Sequence, residues 1–372
     1  MSDRPGKTWA IEPHTRAKLD ILRFYLQAWF PILSTGGFPR IVYIDGFAGP
    51  GRYAGGEEGS PLVALNAALK QPLPLRSIIE FHFVELDPQC LARLEHEIES
   101  LRPELQQRPN VQVTIHKEQN FAEAYDRICP RLGEDRRTVP TFALIDPFGF
   151  SGIPYGLISR LLSKNKCEVL ITFVVDAINR WLTHPDAHIR SHIIETFGTD
   201  AAIAIAEGAG DRAIHLKNLY QQQLGKVAQF VRYFEMRDSK DRVVYYLFFA
   251  SNNSLGHLKM KEAMWKVDPL GDFRFSDSTN PNQQVLFSNP SVEPLVTDLD
   301  SRFLGVAQIP IKQVETYVQD KTPYLRKHMT EALTQLESDG RLKVAELKTN
   351  DKRRRSGTYP NDALLSFQKH TI

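Results

Sequence analysis

The sequence predicts an α/β protein with a doubly wound, mostly parallel sheet carrying an antiparallel edge hairpin, followed by a C-terminal winged-helix-like module. Three observations predict it. Short, near-continuous apolar runs alternate with helix-patterned segments between Ile41 and Val175, the signature of a parallel sheet covered on both faces. Two long β-patterned runs then flank the polar turn "RDSKDR", which reads as a hairpin. Helix, helix, strand and a basic turn close the chain, the order of a winged helix.

Each element follows from its own pattern. Leu19, Leu22, Leu26 and Phe30 recur at helical spacing, so a helix runs from about Thr15 to Leu33. Ile41–Ile44 is a strand, and a helix follows over Pro61–Leu69. "SIIEFHFVELD" is a strand ending near Glu85, and Pro88 opens the next helix at its first turn. "VQVTIHK", "TFALIDP" and "EVLITFVV" are the third to fifth strands, separated by helices over "FAEAYDRICPRL" and about Tyr155–Ser163. A helical, polar-rich insertion spans about 177–225. The hairpin "AQFVRYFEM…VVYYLFFAS" and the helix "SLGHLKMKEAMWKV" complete a first domain over 1–275. Pro, Asn, Ser and Asp mark 276–300 as a linker. In 301–372, "IPIKQVETYVQD" and "TPYLRKHMTEALTQLESDG" are helices. The second places Leu325, Met329, Leu333 and Leu336 on one face and ends at Asp339-Gly340. "RLKVAEL" is a strand, "KTNDKRRRSG" a basic turn and "TYP" a return.

With 42% apolar residues in 372, the chain can bury a large core. The net charge of +2 hides an asymmetry. From Ser301 onward 13 Lys/Arg face 8 Asp/Glu, so the basic character lies at the C-terminal end. Cys90, Cys129 and Cys167 are scattered without a CxxC pair, which argues against a disulfide framework or a metal cluster. The opening residues lack the apolar stretch of a secretion signal and no run reaches membrane-span length, so a cytoplasmic protein is expected.

The residues that carry chemistry sit at strand ends. Behind the first strand, "DGFAGPGRYAGG" supplies Asp45, Gly46, Phe47, Gly49 and Gly51 where an open α/β sheet binds ligands. Glycines let a ligand approach the backbone. Gly55, Gly56 and Gly59 delay the next helix to about Ser60, which disfavours a pyrophosphate on a helix N-terminus and hence a nicotinamide dehydrogenase. Asp45 would repel a pyrophosphate but favour an ammonium or sulfonium. In "VELDP", Glu85 is placed to accept from a ribose diol, with Leu86 beside it, while Asp87 before Pro88 also suits a helix cap. In "EQNF", Gln119 or Asn120 lies where an adenine edge would be bound, and Phe121 is suited to stack on it. Asn120 as a plain N-cap fits equally well. The fourth strand ends in "IDPFGF". Asp146 and the carbonyl next to donor-free Pro147 can orient an acceptor, and Phe148 and Phe150 offer faces to a planar base.

This ordered set resembles the class I S-adenosylmethionine-dependent methyltransferases. The resemblance implies S-adenosylmethionine as cofactor, held around Asp45, Gly49, Gly51 and Glu85. It also implies catalytic roles for Asp146, Pro147, Phe148 and Phe150, and a cofactor-side role for Lys18 on the leading helix, which looks like the extra N-terminal motif of amino-methyltransferases. Phe148 and Gly149 stand where nucleic-acid amino-methyltransferases carry a second proline and an aromatic. Over most of its length the chain is similar to the bacterial three-Cys-motif partner family. The matching stretches are "DGFAGPGRYAGGEEGSPLVAL", "IDPFGFSGIP", "YYLFFASNNSLGHLKMKEAMWKVDP" and "LTQLESDGRLKV…RRRSGTYP". That resemblance implies a radical-SAM-like partner protein and opens a second expectation, a non-catalytic methyltransferase-fold adaptor. Nucleic acid is the expected further partner. Lys352, Arg353, Arg354 and Arg355 would lie on phosphates, and Arg326 and Lys327 on the recognition helix beside His328, although Glu331 and Glu337 weaken that field.

Overall fold

The computed structural model describes residues 8–117, 120–133, 138–147, 149, 153–208, 210–268, 274–276, 291–345 and 355–368. They divide into two compact units, 1–267 with 274–283, and 268–273 with 284–372.

The first unit is built on one eight-stranded sheet. Its strands are β1 (Arg40–Asp45), β2 (Ile78–Glu85), β3 (Val111–Lys117), β4 (Thr141–Ile145), β5 (Cys167–Phe173), β6 (Phe230–Arg237), β7 (Val243–Ser251) and β8 (Arg274–Ser276). The spatial order is β3-β2-β1-β4-β5-β7-β6-β8. β1 to β5 are mutually parallel. β7 pairs antiparallel with both β5 and β6, so the hairpin extends the sheet as its pattern requires, and β8 continues it parallel to β6. The order reverses between β1 and β4, where Asp45 lies opposite Leu144. That reversal opens a crevice at the carboxyl edge.

Both faces of the sheet are buried at β1, β4 and β5, which is why these strands read as unbroken apolar runs, while β3 and β6 keep exposed or half-buried positions. On one face Val42, Ile44, Ala143, Ile145, Val169 and Ile171 pack against the helices Phe121–Ile128 and Tyr155–Leu162. The insertion contributes Ile178, Phe197, Leu216 and Tyr220 to the same core. Its helices are Val175–Trp181, Ala187–Phe197, Ala201–Ala204 and Arg212–Gly225. The other face is aromatic: Tyr43, Phe81 and Phe142 meet Tyr25, Trp29 and Phe30 of the helix Pro13–Thr35. Burying each such ring stabilises the fold by about 1.5–3 kcal/mol.

The second unit has a three-stranded sheet of β9 (Ile309–Pro310), β10 (Leu342–Val344) and β11 (Leu364–Phe367), in the order β10-β11-β9. Helices Glu293–Phe303, Ile311–Lys321 and Arg326–Ser338 cover it, giving a winged helix-turn-helix. Three expectations need correction here. The residues assigned to a linker over 276–300 include the start of helix Glu293–Phe303, whose Leu295, Val296 and Leu299 are core residues of this unit. Ile309–Pro310 is a strand rather than the first turn of a helix, because it pairs with Leu364 and Leu365. The return strand is "LLSF", not "TYP". Tyr359 instead tucks its ring into the core and donates to Glu337 at 2.9 Å.

Candidate active site at the carboxyl edge of the sheet

The glycine-rich loop is tied to the tips of the strands beside it. Gly46 N–H donates to the Leu144 carbonyl and Ala48 N–H to that of Val84, both at 2.9 Å. Gly46 has no room for a side chain, since an added Cβ would lie 2.9 Å from the Phe121 ring. Gly49 is the opposite case: its φ of 66° is a left-handed conformation, and a Cβ there would project into open space. The loop closes on itself through Gly59 N–H to the Gly51 carbonyl at 2.7 Å, and the helix then begins at Ser60, as the glycine spacing predicts.

Asp45 is fully buried at the end of β1. Its Oδ1 accepts from the Phe47 amide at 3.2 Å, while Oδ2 makes no hydrogen bond to a described residue. Burial pushes its pKa up to about 7, against the lowering effect of the Ser60 hydroxyl and the Phe47 amide, and with a further push from Asp146 and Glu85. Two tyrosines that sequence reasoning missed share this field. The Tyr43 hydroxyl is buried without a described partner, and burial, then Asp45 and Asp146, raise its pKa. Tyr53, from the loop, is raised by burial and then by the same two carboxylates. Strand alternation was the available signal for Tyr43, which shares a face with Asp45 two residues on.

At the end of β2, Glu85 holds the loop. Its Oε2 accepts from Gly49 N–H and its Oε1 from Asp87 N–H, each at 2.7 Å. Each oxygen keeps a second lone pair for a ligand. Leu86 is 60% exposed beside it. Asp87 caps the helix Pro88–Ser100 by accepting from Gln89 and Cys90 N–H, and Asn120 caps Phe121–Ile128 in a capping box with Glu123. Phe121 corrects an expectation. It is buried under Gly46 and against Phe47, a support for the loop rather than a stacking face.

At the end of β4, Asp146 is partly exposed and Pro147 is buried. Lys18, itself buried on the helix Pro13–Thr35, forms an ion pair with Asp146 Oδ2. Its ammonium also lies 5.4 Å from the centre of the Tyr245 ring, whose hydroxyl donates to the His14 carbonyl at 3.1 Å. Lys18 is therefore a partner of the Asp146 carboxylate, a pairing that no local pattern displays across 128 residues. The arrangement joins a buried carboxylate, an open backbone loop and a charge-compensated carboxylate at three neighbouring strand tips. Gln119, Phe148 and Phe150 lie outside the described residues.

In the second unit, the Arg326 guanidinium pairs with Glu315 at 2.9 Å and donates to Asn361 at 3.1 Å, so its charge is already engaged. Lys327 and Arg355 are exposed. Lys352, Arg353 and Arg354 lie outside the described residues. Among the described residues no group of His, Cys, Asp and Glu could hold a metal ion, and no helix is long and apolar enough to cross a membrane.

Residues 274–348 match a family model described as a GMT-like wHTH domain. No curated protein matches the chain. The methyltransferase domain of bacterial CtHen1-C is 11% identical over 63% of this chain and 100% of that one, with a TM-score of 0.30. A putative transferase from Pyrococcus horikoshii is 12% identical over 60% of this chain and 63% of its own, at 0.27. A possible exported protein from Bordetella parapertussis is 11% identical over 60% and 66%, also at 0.27. The methyltransferase-like fold of the first unit rests on its own strand order, and the C-terminal unit is a winged helix both by topology and by family model.

Proposed function

We propose that the chain is an S-adenosylmethionine-dependent methyltransferase acting on nucleic acid. The observation that carries this reading is Asp45: a fully buried carboxylate with an unsatisfied Oδ2, behind a loop whose Gly49 position opens into space. A buried carboxylate oxygen left without a donor is costly, and a cationic ligand that donates to it would satisfy it. Asp45, the Gly46–Gly51 backbone, Glu85 and Leu86 would hold the cofactor, which when bound supplies an electrophilic methyl group on a sulfonium. Asp146 and the Pro147 carbonyl would orient the acceptor, with Phe148 and Phe150 available to its base. Lys18 would hold the Asp146 carboxylate fixed in direction, so catalysis would be positioning and charge complementarity. The C-terminal winged helix and its basic turn would deliver the nucleic acid.

A second reading is a non-catalytic adaptor with the same fold, bound to nucleic acid and to a radical-SAM-like three-Cys-motif protein. The Lys18–Asp146 ion pair favours it, because the acceptor-side carboxylate already has a protein cation. Incubation with isotopically labelled methyl donor and bulk nucleic acid, followed by mass spectrometry, separates the two. Label transfer that is lost in Asp146→Ala supports the enzyme. Absence of calorimetric binding at millimolar S-adenosylmethionine refutes it and leaves the adaptor.

A further inference from the structure

An apolar cavity of the first unit lies at the sheet edge opposite the glycine-rich loop, where β4 and β5 begin and β7 ends. There the last turns of helix Pro13–Thr35 and the first turns of helix Ser254–Val267 enclose about 300 Å³. Its walls include Trp29, Ile32, Leu33, Phe38, Pro140 and Leu255, and Leu255 stands 45% exposed at the surface. A concave apolar space of this size with a few convergent polar groups is the usual form of a small-molecule site.

The polar groups fix the chemistry of the occupant. Glu168 is fully buried and its carboxyl group is held by three donors: Tyr25 and Trp29 donate to Oε2 at 2.5 and 2.7 Å, and Ser251 donates to Oε1 at 2.8 Å. Gly256 is needed for that arrangement, since a Cβ there would lie 1.9 Å from Glu168 Oε1. With the carboxylate taken up by three donors, the remaining charged lining groups are the ammonium groups of Lys166 and Lys259. Lys166 Nζ lies 4.9 Å from the centre of the Phe38 ring. Lys259 donates to Glu262 at 2.8 Å, which uses one of its three N–H donors.

We propose that this cavity binds a small amphipathic carboxylate, with its apolar body against Trp29, Leu33 and Leu255 and its head on Lys166 and Lys259. The two carboxylates at the cavity are already hydrogen-bonded, Glu168 to three donors and Glu262 to Lys259, so an organic cation would find neither of them open, and a neutral body would gain no charge complementarity from the ammonium groups. The inference is independent of the methyl-transfer reading. The cavity is joined to that site by β4, which begins at its wall and ends beside Asp146, and by one helix. The helix that forms the cavity wall also carries Lys18, fourteen residues before Ile32, or about 21 Å along the helix axis at about 1.5 Å per residue.

Calorimetry of the full chain with octanoate, 1-octanol and octylamine tests this. Octanoate is expected to bind once per chain and at least tenfold tighter than either analogue. Lys166→Glu with Lys259→Glu should abolish that preference while leaving 1-octanol binding unchanged, and Leu255→Ser should weaken all three. Octanoate should also shift the Trp29 indole N–H resonance. The proposal is overturned by an absence of saturable octanoate binding, or by octanoate binding that both sets of variants leave unchanged. Equal affinity for 1-octanol also overturns it, and would indicate an apolar docking cavity without head-group recognition.

Discussion

At the scale of single residues, Asp45 and Gly49 separate the needs of folding from those of a ligand. The Asp45 carboxyl has a folded-state pKa near 7 because burial penalises its charged form, whereas an unfolded aspartate ionises near 3.8. The folded state therefore holds its proton more tightly, and the stability this provides is complete below about pH 4 and is lost as pH rises through 7. Asp45→Asn should remove that loss, so that denaturant unfolding at pH 8 finds the variant more stable than the parent, by on the order of 4 kcal/mol, with little difference at pH 4. The same change should weaken binding of a cationic cofactor, and in the parent that binding should strengthen between pH 6 and pH 8 as the carboxyl ionises. An unchanged pH profile in Asp45→Asn would remove the basis for the proposed site. Gly49→Ala tests the open side of the loop. The left-handed φ should cost about 1–2 kcal/mol of stability, while the new methyl enters the open space proposed for the cofactor, so calorimetric cofactor binding should fall far more than stability does.

At the scale of elements, the legible parts of the sequence were those whose signal is local. β1 and its loop could be read because an apolar run, an acid and clustered glycines are adjacent in the chain, and the late helix start at Ser60 followed from the same glycines. Of the very short strands only β10, within "RLKVAEL", was legible. β8, β9 and β11 have two to four residues each, too few for an alternation pattern, and they exist because tertiary neighbours supply their hydrogen bonds. The role of Phe121 was misread for a related reason: "NF" after a strand is compatible with a ligand face or a core anchor, and only the close approach of Gly46 decides for the anchor. The helix that starts with Phe121 should then be what sets the height of the loop. Phe121→Ala should destabilise the first unit by about 3–5 kcal/mol, as expected for an emptied aromatic site, and should loosen cofactor binding although no group facing the ligand is removed. Phe121→Leu should recover most of both, and its failure to do so would return the ring to the ligand.

At the scale of the whole molecule, the basic excess is confined to the end of the chain. The residues before Ser301 carry a net negative balance and those from Ser301 on a net positive one, although Asp268, Asp272, Glu293, Asp298 and Asp300 bring the second unit as a whole to no net charge. Attraction for phosphate would therefore come from the local run of Lys and Arg and not from the field of the whole unit. Within that unit Arg326 is a structural cation. Arg326 is committed to Glu315 and Asn361, joining the helices Ile311–Lys321 and Arg326–Ser338, while the run Lys352–Arg354 is recognised from sequence alone. Anisotropy of a labelled duplex against the full chain should tell them apart. Reversal of Lys352, Arg353 and Arg354 to Glu should lower affinity steeply and reduce the slope of log K against log salt by about 0.9 for each phosphate that the variant no longer neutralises, with thermal stability and cofactor binding unchanged. Arg326→Ala should do the converse, lowering the unfolding temperature while leaving the salt slope in place, because removing an engaged guanidinium strands Glu315 rather than a phosphate. If the triple reversal left affinity and slope untouched while label transfer to nucleic acid persisted, the first unit would have to capture its acceptor directly, and the winged helix would be free to serve a protein partner.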